Sequence, residues 1–177
     1  MGDEPLTKAD WIRGALERYE RPLIRYATGI TGNIEQARDV VQDTFLRLCE
    51  AEPAKVDGHL AAWLYTVCRN RALDVRRHEG RMDSLQDEQT NSVQSGAAEP
   101  SALVARNEAY TLALEALSTL PENQQEAVRL KFQDEMTYRE ISQVMGISLG
   151  TVSRLIAAAL VGLRDQLRGT IDLAQEV

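Results

Sequence analysis

The chain has 177 residues and an apolar content of 44%, which is enough to build the core of one large domain or two small ones. Aromatic residues make up only 5%, so we expect Leu, Val, Ile and Ala to fill that core. The net charge of −7 excludes a protein coated in basic charge, although a local basic segment can still bind nucleic acid.

An apolar stripe with helical spacing opens the first half of the chain, at Trp11, Ala15, Tyr19, Leu23 and Tyr26. Pro22 lies inside this stripe and should kink or split the helix, because proline removes one backbone hydrogen bond. Gly32 predicts the end of the segment. Asn33, with Gln36 three residues later, predicts a capping-box-like start for the next helix.

The helix predicted from Ile34 to about Glu50 has two unlike faces. At 100° per residue, its apolar face collects Ile34, Ala37, Val41, Phe45 and Leu48, which we expect in the core. The opposite face collects Asp39, Asp43, Leu46 and Glu50, with Glu35 and Gln42 beside it. A charged face of this kind is usually solvated exterior. Leu46 is the exception, because a large apolar side chain among carboxylates suits docking onto a basic partner helix.

The next predicted helix, from about His59 to Arg77, carries a local excess of positive charge. Between Leu60 and Met82 the net charge is +3, from Arg69, Arg71, Arg76, Arg77 and Arg81 against Asp74 and Glu79. In an acidic chain, such a segment is the electrostatic footprint of a nucleic-acid contact. Asn70 can hydrogen-bond a base edge or be an ordinary surface residue, and Asp74 more readily orients arginines than touches DNA. Trp63 is more simply a core aromatic than a stacking platform.

The stretch from Ser84 to Ala102 is polar, acidic and without period, which predicts a flexible linker. Between Asp83 and Glu108 the net charge is −4, from Asp83, Asp87, Glu88, Glu99 and Glu108 against Arg106. A helix is predicted near Ala102 to Leu120. Pro121 then predicts the first turn of another helix.

Two short helices joined by a glycine turn are predicted in the second half. Thr137 and Glu140 have the spacing of a capping box. Their helix should end at Gly146, a natural left-handed stop, and Ser148 should cap a helix that runs towards Arg168. This is the helix-turn-helix pattern of DNA-binding proteins.

The last predicted helix is poor in charge for a helix that reads DNA. Its core face collects Val152, Leu155, Ile156, Ala159 and Leu163. Its outward face collects Gly150, Arg154, Ala157, Val161, Arg164 and Arg168. Small outward residues allow close approach to a groove, and backbone N–H groups near Ser148 can hold a phosphate. The same Ala and Val strip suits a protein partner as well, and the residues alone leave both interpretations open.

No metal, cofactor or covalent chemistry is predicted. Cys49, His59, Cys68 and His78 are almost evenly spaced, but zinc sites need close ligand pairs, so two core thiols and two surface imidazoles are the simpler interpretation. The sequence has no phosphate-cradling Gly-rich loop, zinc-protease helix or nucleophile–base spacing, which argues against an enzyme. No apolar run approaches membrane-spanning length and no signal peptide precedes the first charged residues, so we expect no membrane insertion and a cytoplasmic location.

Three stretches resemble regions of one protein family, in the same order. "EQARDVVQDTFLRL" resembles the helix by which bacterial sigma factors bind the clamp of core RNA polymerase. "HLAAWLYTVCRNRALDVRRHEGR" resembles the adjacent helix that melts and reads the promoter, and the stretch from Ala116 to Leu155 resembles the C-terminal sigma domain. The layout is similar to that of the extracytoplasmic-function (ECF) sigma factors of the sigma-70 family.

The resemblance implies an all-α fold of two small helical domains. An N-terminal sigma-two-like domain of three or four helices would cover 8–82 and a C-terminal helix-turn-helix, sigma-four-like domain 105–168, with an acidic flexible linker at 83–104 and a tail at 169–177. The implied function is to direct core RNA polymerase to specific promoters and to aid strand opening, and the implied partners are core polymerase, promoter DNA and an anti-sigma factor or other regulator. The alternative is a helix-turn-helix transcription regulator or a protein-binding adaptor that acts without core polymerase.

The resemblance also implies site residues, position by position. The polymerase contacts map onto Asp39, Gln42, Asp43 and Leu46. The downstream promoter element maps onto Arg69, Asn70, Asp74, Arg76 and Arg77. The upstream element maps onto Arg139, Ser148, Thr151, Ser153, Arg154 and Arg164. In the family, the loop that corresponds to "AEPAKVDGH" captures a base flipped from the melted strand.

The chain departs from the family pattern in two places. Arg38 stands where an acidic residue is common, which should weaken or shift that polymerase contact. Ser153, Ala157 and Ala158 stand where Lys or Arg residues are common. Losing about two phosphate contacts should make DNA binding less sensitive to salt: the slope of log affinity against log salt concentration should fall by roughly two units. We therefore expect this domain to bind duplex DNA weakly alone and to depend on polymerase for avidity.

Overall fold

Helices form all the regular structure in the described part of the chain. The computed structural model describes residues 7–83 and 113–175, with side chains for 7–79 and 113–167. These residues fall into two units, one within Met1–Ala97 and one within Ala98–Val177. The predicted all-α fold class is therefore confirmed. The linker predicted after Asp83 lies outside the described residues.

Three long helices build the first unit. α1 spans Lys8–Thr31, α2 spans Ile34–Glu50 and α4 spans Leu60–Asp83, and each packs against the other two. Between α2 and α4 lie the one-turn helix α3 (Pro53–Val56) and a 3₁₀ turn (Asp57–His59). The stretch "AEPAKVDGH", which corresponds to a loop in the family, is thus helical for most of its length.

The interface among these helices is the core of the first unit. Leu23, Leu48 and Leu64 are fully buried, and the rings of Tyr26 and Tyr65 pack with centroids 5.0 Å apart at an interplanar angle of 53°. A tilted aromatic pair of this kind adds roughly 0.5–1.5 kcal/mol to the effect of burial alone. The apolar stripe predicted for α1 is confirmed, because all of its members are buried or half-buried.

Pro22 lies within α1 without splitting it, so of the two predicted effects, a kink or a split, the split does not occur. An internal proline costs a helix about 3 kcal/mol, because it removes one hydrogen bond and crowds the preceding turn. Leu23 and Ala27 are fully buried just beyond Pro22, and their packing on the rest of the unit keeps the helix continuous. Gly32 ends α1 in a left-handed conformation, at φ 72°, as predicted.

The first turn of α2 combines a confirmed cap with a wrong burial prediction. Asn33 caps the helix, because its Oδ1 accepts two backbone N–H groups at 2.8 and 3.3 Å. Gln36 does not complete a capping box, because its Nε2 donates to Glu79 of α4 instead. Ile34, which the periodicity predicts in the core, is 50% exposed. Burial begins one turn later at Ala37, so the first turn of α2 extends beyond the packed region.

Four α-helices and one π-helical turn make up the regular structure in the described part of the second unit. Residues 113–118 form α5, and α6 (Glu122–Val128), α7 (Tyr138–Met145) and α8 (Leu149–Gln175) follow. Both α6 and α7 pack against α8. The helix predicted near Ala102 is described only from residue 113, and residues 169–175, predicted as a tail, continue α8.

α7 and α8 form the predicted helix-turn-helix. The capping box is confirmed, because Thr137 Oγ1 accepts the N–H of Glu140 at 3.3 Å and Glu140 Oε2 accepts the N–H of Thr137 at 2.8 Å. Gly146 ends α7 at φ 67°, and Ser148 Oγ accepts a backbone N–H in the first turn of α8. The two helix axes meet at 103°, within the range of helix-turn-helix motifs.

No single helix in the two described ranges is long and apolar enough to cross a membrane. Only α7 and α8 taken together, across their bend, have the length and apolar composition of such a segment among the described residues.

A π-helical turn at Arg129–Gln133 leads into a strained residue. The N–H of Asp134 donates to the carbonyl of Arg129, five residues back, at 3.1 Å, and the N–H of Met136 donates to the carbonyl of Leu130 at 3.0 Å. Between these two bonds, Glu135 has φ 55° and is the single non-glycine residue with positive φ in the described ranges.

Replacing Glu135 by Gly should stabilise the second unit. A left-handed conformation costs a residue with a Cβ roughly 1–2 kcal/mol, and glycine avoids that cost while losing about 0.5–1 kcal/mol of backbone entropy. We expect a net gain of about 0.5–1 kcal/mol in the free energy of unfolding, measured by urea denaturation of the full chain. Glu135→Ala is the matched control, because it removes the same charge and keeps the Cβ. An equal gain from both substitutions would show that charge, not strain, is responsible.

Candidate functional site

Four side chains on the outer side of α2, which we call the α2 face, form one continuous surface: Asp39, Gln42, Asp43 and Leu46. Asp39, Gln42 and Leu46 are exposed, and Asp43 is half-buried. At 58% exposure, Leu46 is the most exposed large apolar side chain of the described residues. The opposite side of the same helix is buried, so the two faces separate as the sequence predicts.

Asp43 of the α2 face has a partner on another helix. Its Oδ2 accepts the Nε–H of Arg71 in α4 at 2.8 Å, and the two side chains are 44% and 40% exposed. A surface ion pair of this kind contributes about 0–1 kcal/mol. The pair therefore orients Asp43 more than it stabilises the fold. Asp43 and Arg71 are 28 residues apart in the chain, so no helical periodicity in the sequence could have predicted this ion pair.

Four of the side chains predicted for the downstream element lie in two adjoining rows on α4, which we call the basic rows. Arg69 and Arg76, seven residues apart, form one row, and Asn70 and Arg77 form the other. Arg69 is half-buried and the other three are exposed. Arg77 donates to Asp74 Oδ1 at 2.8 Å, which is the orienting contact predicted for Asp74. The structure thus brings the five residues predicted for the downstream element onto one side of one helix.

An open cavity of about 420 Å³ lies beside the start of α4. Its walls come from the end of α2, from α3, from the 3₁₀ turn and from the first turn of α4, and its lining includes Glu50, Glu52, Lys55, Val56, His59 and Trp63. Glu52 and Lys55 form an ion pair at 2.9 Å. Trp63, predicted as a core aromatic, is only half-buried because it lines this cavity.

The 3₁₀ turn beside the cavity is tied to α1. The indole Nε1–H of Trp11 donates to Asp57 Oδ1 at 2.9 Å. The sequence places Trp11 only in an apolar stripe, and no local signal shows that its N–H reaches a turn 46 residues away. Asp57 lies within the stretch "AEPAKVDGH", to which the resemblance assigns base capture, whereas Trp11 is missing from the site that the sequence predicts.

The residues predicted for the upstream element lie along the helix-turn-helix, and five of the six are exposed: Arg139, Ser148, Ser153, Arg154 and Arg164. Thr151 is half-buried and connects its neighbours, because its hydroxyl lies 2.9 Å from Ser148 Oγ and accepts from Arg154 at 3.4 Å. Arg164 lies ten residues further on, about 15 Å along the axis, beside Asp165 at 3.5 Å. The structure thus groups Ser148, Thr151 and Arg154 and leaves Arg164 apart.

Between these two arginines, the outward side of α8 is apolar. Ala157 is exposed, Leu160 is 45% exposed and Val161 is 49% exposed. The core face predicted for α8 is confirmed, since its five members are buried or half-buried. The uncharged outward strip is therefore a real feature of the surface and not a displaced part of the core.

The cysteine prediction is half right. Cys68 is fully buried in the first unit, whereas Cys49 is exposed, because it lies one residue past the core position Leu48 on α2. His59 and His78 are exposed, as predicted. Across the described ranges, no three His, Cys, Asp or Glu side chains are placed to hold a metal ion.

Two regions of the chain match family profiles. Residues 15–82 match the profile described as Sigma-70 region 2, and residues 110–161 match the one described as Sigma-70, region 4. The chain belongs to the sigma-70 family. The first match covers the α2 face, the basic rows of α4 and the cavity, and the second covers α7 and α8 as far as Val161.

Individual relatives narrow this assignment to the ECF sigma factors. The chain is 30% identical over 167 residues to the ECF RNA polymerase sigma factor SigL of Mycobacterium tuberculosis, with 89% of each chain covered. It is 30% identical over 145 residues to the ECF sigma factor SigE of Mycolicibacterium smegmatis, and this match spans 81% of the chain but 56% of SigE. The sigma factor RpoE of Bartonella quintana, solved in complex with the anti-sigma factor NepR, gives a TM-score of 0.66 at 25% identity and covers 88% of this chain and 96% of RpoE. These relatives favour a sigma factor over a regulator that acts without polymerase.

The two cysteines should react very differently. Burial raises the pKa of the Cys68 thiol to about 12, and a hydrogen bond with Thr44 only partly opposes this. Because the thiolate is the reactive form, we expect Cys68 to resist a disulfide reagent at about pH 8 while exposed Cys49 reacts. The native chain should titrate one thiol and the urea-unfolded chain both. Cys49→Ser should abolish the native reaction, and a native Cys68 that reacts as fast as Cys49 would contradict its burial.

Proposed function

We propose that the chain is a promoter-specificity subunit of RNA polymerase that acts in the cytoplasm by binding alone, without covalent chemistry of its own. The α2 face binds core polymerase, the first unit reads and opens the downstream promoter element, and the α7–α8 pair contacts the upstream element. The observation that carries this proposal is the exposure of Leu46 among carboxylates, on a helix whose other side is sealed in the core.

The α2 face has the chemistry that suits a basic helical partner. Asp39 and Asp43 supply negative charge, and Gln42 supplies a polar group without charge. Leu46 supplies an apolar contact, and burying such a side chain fully is worth about 1.5–3 kcal/mol. The carboxylates steer the encounter and fix its orientation. Arg38, the departure from the family pattern, is paired with Glu35 at 2.8 Å, so part of its charge is compensated.

The two rows of α4 suit promoter DNA. Arg69, Arg76 and Arg77 supply the positive charge that phosphates require. Exposed Asn70 has both a donor and an acceptor with which to read a base edge. Asp74 contributes by holding Arg77 in place. Phosphate contacts of this kind set the register of the protein on DNA, and contacts to base edges set its specificity.

The cavity beside α4 suits a base that has left the stack. Trp63 offers an aromatic surface, and base–aromatic stacking is worth about 1–3 kcal/mol per base. Glu52, Lys55 and His59 offer groups that hydrogen-bond base edges. Strand opening then needs no chemical step, because a protein that binds melted DNA better than duplex shifts the equilibrium towards the melted form.

The α7–α8 pair supplies a weaker second contact. Ser148, Thr151 and Arg154 lie together at the start of α8, and the N-terminus of a helix suits a phosphate. Arg139 and Ser153 extend this contact, and Arg164 makes a separate contact further along α8. Because the strip between the arginines is uncharged, useful affinity depends on polymerase holding this unit near the promoter. An anti-sigma factor or other regulator is a further proposed partner, as NepR is for RpoE of Bartonella quintana.

Reversing the charge at Asp39 should weaken co-purification with core polymerase. We expect Asp39→Arg to lower the affinity at least about tenfold, because attraction to a basic partner becomes repulsion. Leu46→Asp should have a similar effect through loss of the apolar contact. Both side chains are exposed, so the free energy of unfolding should change by less than about 0.5 kcal/mol.

Glu17→Arg on α1 is the charge-matched control and should bind core polymerase normally. Asp43→Arg is a less clean test, because it also places a like charge beside Arg71. Normal binding by both Asp39→Arg and Leu46→Asp would remove the α2 face from the interface.

Removing Arg154 should weaken promoter binding by the reconstituted polymerase complex. If Arg154 holds a phosphate, its loss reduces the slope of log affinity against log salt by about one unit. Fluorescence anisotropy over a salt series measures this slope, with a promoter fragment chosen by mapping transcription starts after overexpression. Arg13→Ala, which removes a surface arginine from α1, is the control. A slope unchanged by Arg154→Ala would assign the outward side of α8 to a protein partner instead.

A further inference from the structure

The hydrogen bond between Trp11 and Asp57 connects two distant parts of the first unit. Trp11 lies in the first turn of α1, and Asp57 opens the 3₁₀ turn that precedes α4. The bond is 2.9 Å long and spans 46 residues. Asp57 is exposed and Trp11 is half-buried, so the bond lies at the surface. The next residue before Asp57, Val56, lines the cavity.

In the described structure, the cavity wall that carries Asp57, residues 53–59, has one buried side chain, that of Val56. Within the described residues, neither α3 nor the 3₁₀ turn has a side-chain cap at its N-terminus. Val56 is buried and gives the wall one apolar anchor, whereas Gly58 has open space where a Cβ would lie. Segments with so little buried surface open locally at low cost. A hydrogen bond to a neighbouring helix then limits how far this wall opens.

We propose that Trp11 is a positioning residue for the cavity: by holding Asp57, it keeps the wall that carries Val56 and His59 in place to receive an unstacked base of single-stranded DNA. This inference rests on the proposed role of the cavity. Trp11 touches no base in this scheme, and its effect passes through Asp57 and the 3₁₀ turn.

The expected effect follows from the value of one hydrogen bond. A net hydrogen bond corresponds to roughly two- to tenfold in an equilibrium constant. If the wall is already ordered before the base binds, none of the binding free energy is lost in ordering it. Losing the bond should therefore weaken capture of a base by about that factor. The core of the unit should be unaffected, because its packing does not involve Asp57.

Three substitutions separate the hydrogen bond from other properties of these residues. Trp11→Phe keeps an aromatic ring in α1 and removes the donor. Asp57→Ala removes the acceptor and one negative charge. Asp57→Asn removes the same charge and keeps an oxygen acceptor, so it is the matched control. Asp57 is exposed, so neither of its substitutions threatens the fold.

The probe is a fluorescein-labelled single-stranded DNA of about 12 nucleotides with randomised sequence, and a duplex of the same length is the reference. Binding to the full chain is followed by anisotropy. Trp11→Phe and Asp57→Ala should each weaken single-strand binding about two- to tenfold, and the double variant should bind no worse than either. Asp57→Asn should bind within about twofold of the unsubstituted chain, and duplex binding should not change.

Hydrogen exchange of the amides at residues 57–61, together with tryptophan emission, tests the positioning step itself. In Trp11→Phe, Trp63 is the remaining tryptophan of the chain, so its emission reports directly on the cavity. We expect faster exchange and a red-shifted emission. Unchanged exchange and emission would overturn the inference, and so would faster exchange with undiminished single-strand affinity. If the unsubstituted chain binds single strands no better than duplex, the proposed role of the cavity fails. Hydrogen exchange then still shows whether Trp11 holds the 3₁₀ turn that carries Asp57.

Discussion

The first unit depends on the way α2 packs, with one side buried against α1 and α4 and the other left outside. Ala37, Val41 and Leu48 are buried along that inner side, which fixes the rotation of α2 about its own axis. Asp39 and Leu46 then have to face solvent, whatever they bind there. The α2 face is thus a consequence of apolar periodicity, and its chemistry was free to be adapted to a partner without changing the core.

The charge distribution resolves the apparent conflict between an acidic chain and a DNA-binding role. The whole chain carries −7, yet the segment from Leu60 to Met82 carries a net positive charge. At physiological ionic strength the Debye length is about 8 Å, so a phosphate that lies on α4 is affected mainly by charges within that radius. Distant carboxylates therefore do little to repel DNA. The Asp43–Arg71 pair marks the boundary between the acidic surface of α2 and the basic surface of α4.

Features set by local chemistry or by apolar periodicity were predictable from the sequence, and features set by contacts between distant residues were not. The cap at Asn33 and the left-handed stop at Gly146 depend on residues within a few positions, so a single chain reveals them. Ile34 lies on the correct side of α2 but beyond the packed region, and periodicity carries no information about where a neighbouring helix ends. The Trp11–Asp57 bond depends on three helices already being assembled. For that reason the outer surface of α2 was predictable and the contact between Trp11 and the cavity wall was not.

The proposed function fits a protein whose contacts are individually weak. The α2–α4 ion pair is half-exposed, the outward side of α8 is largely uncharged, and the cavity is open to solvent. If the α2 face docks on polymerase, the two DNA-binding surfaces act at the high effective concentration that tethering provides, which strengthens binding without any new contact. A sigma factor with a strongly basic α8 would instead bind DNA nonspecifically before it met polymerase, because phosphate contacts are independent of sequence. Under the proposed function, an α8 with few basic residues would make promoter binding conditional on polymerase.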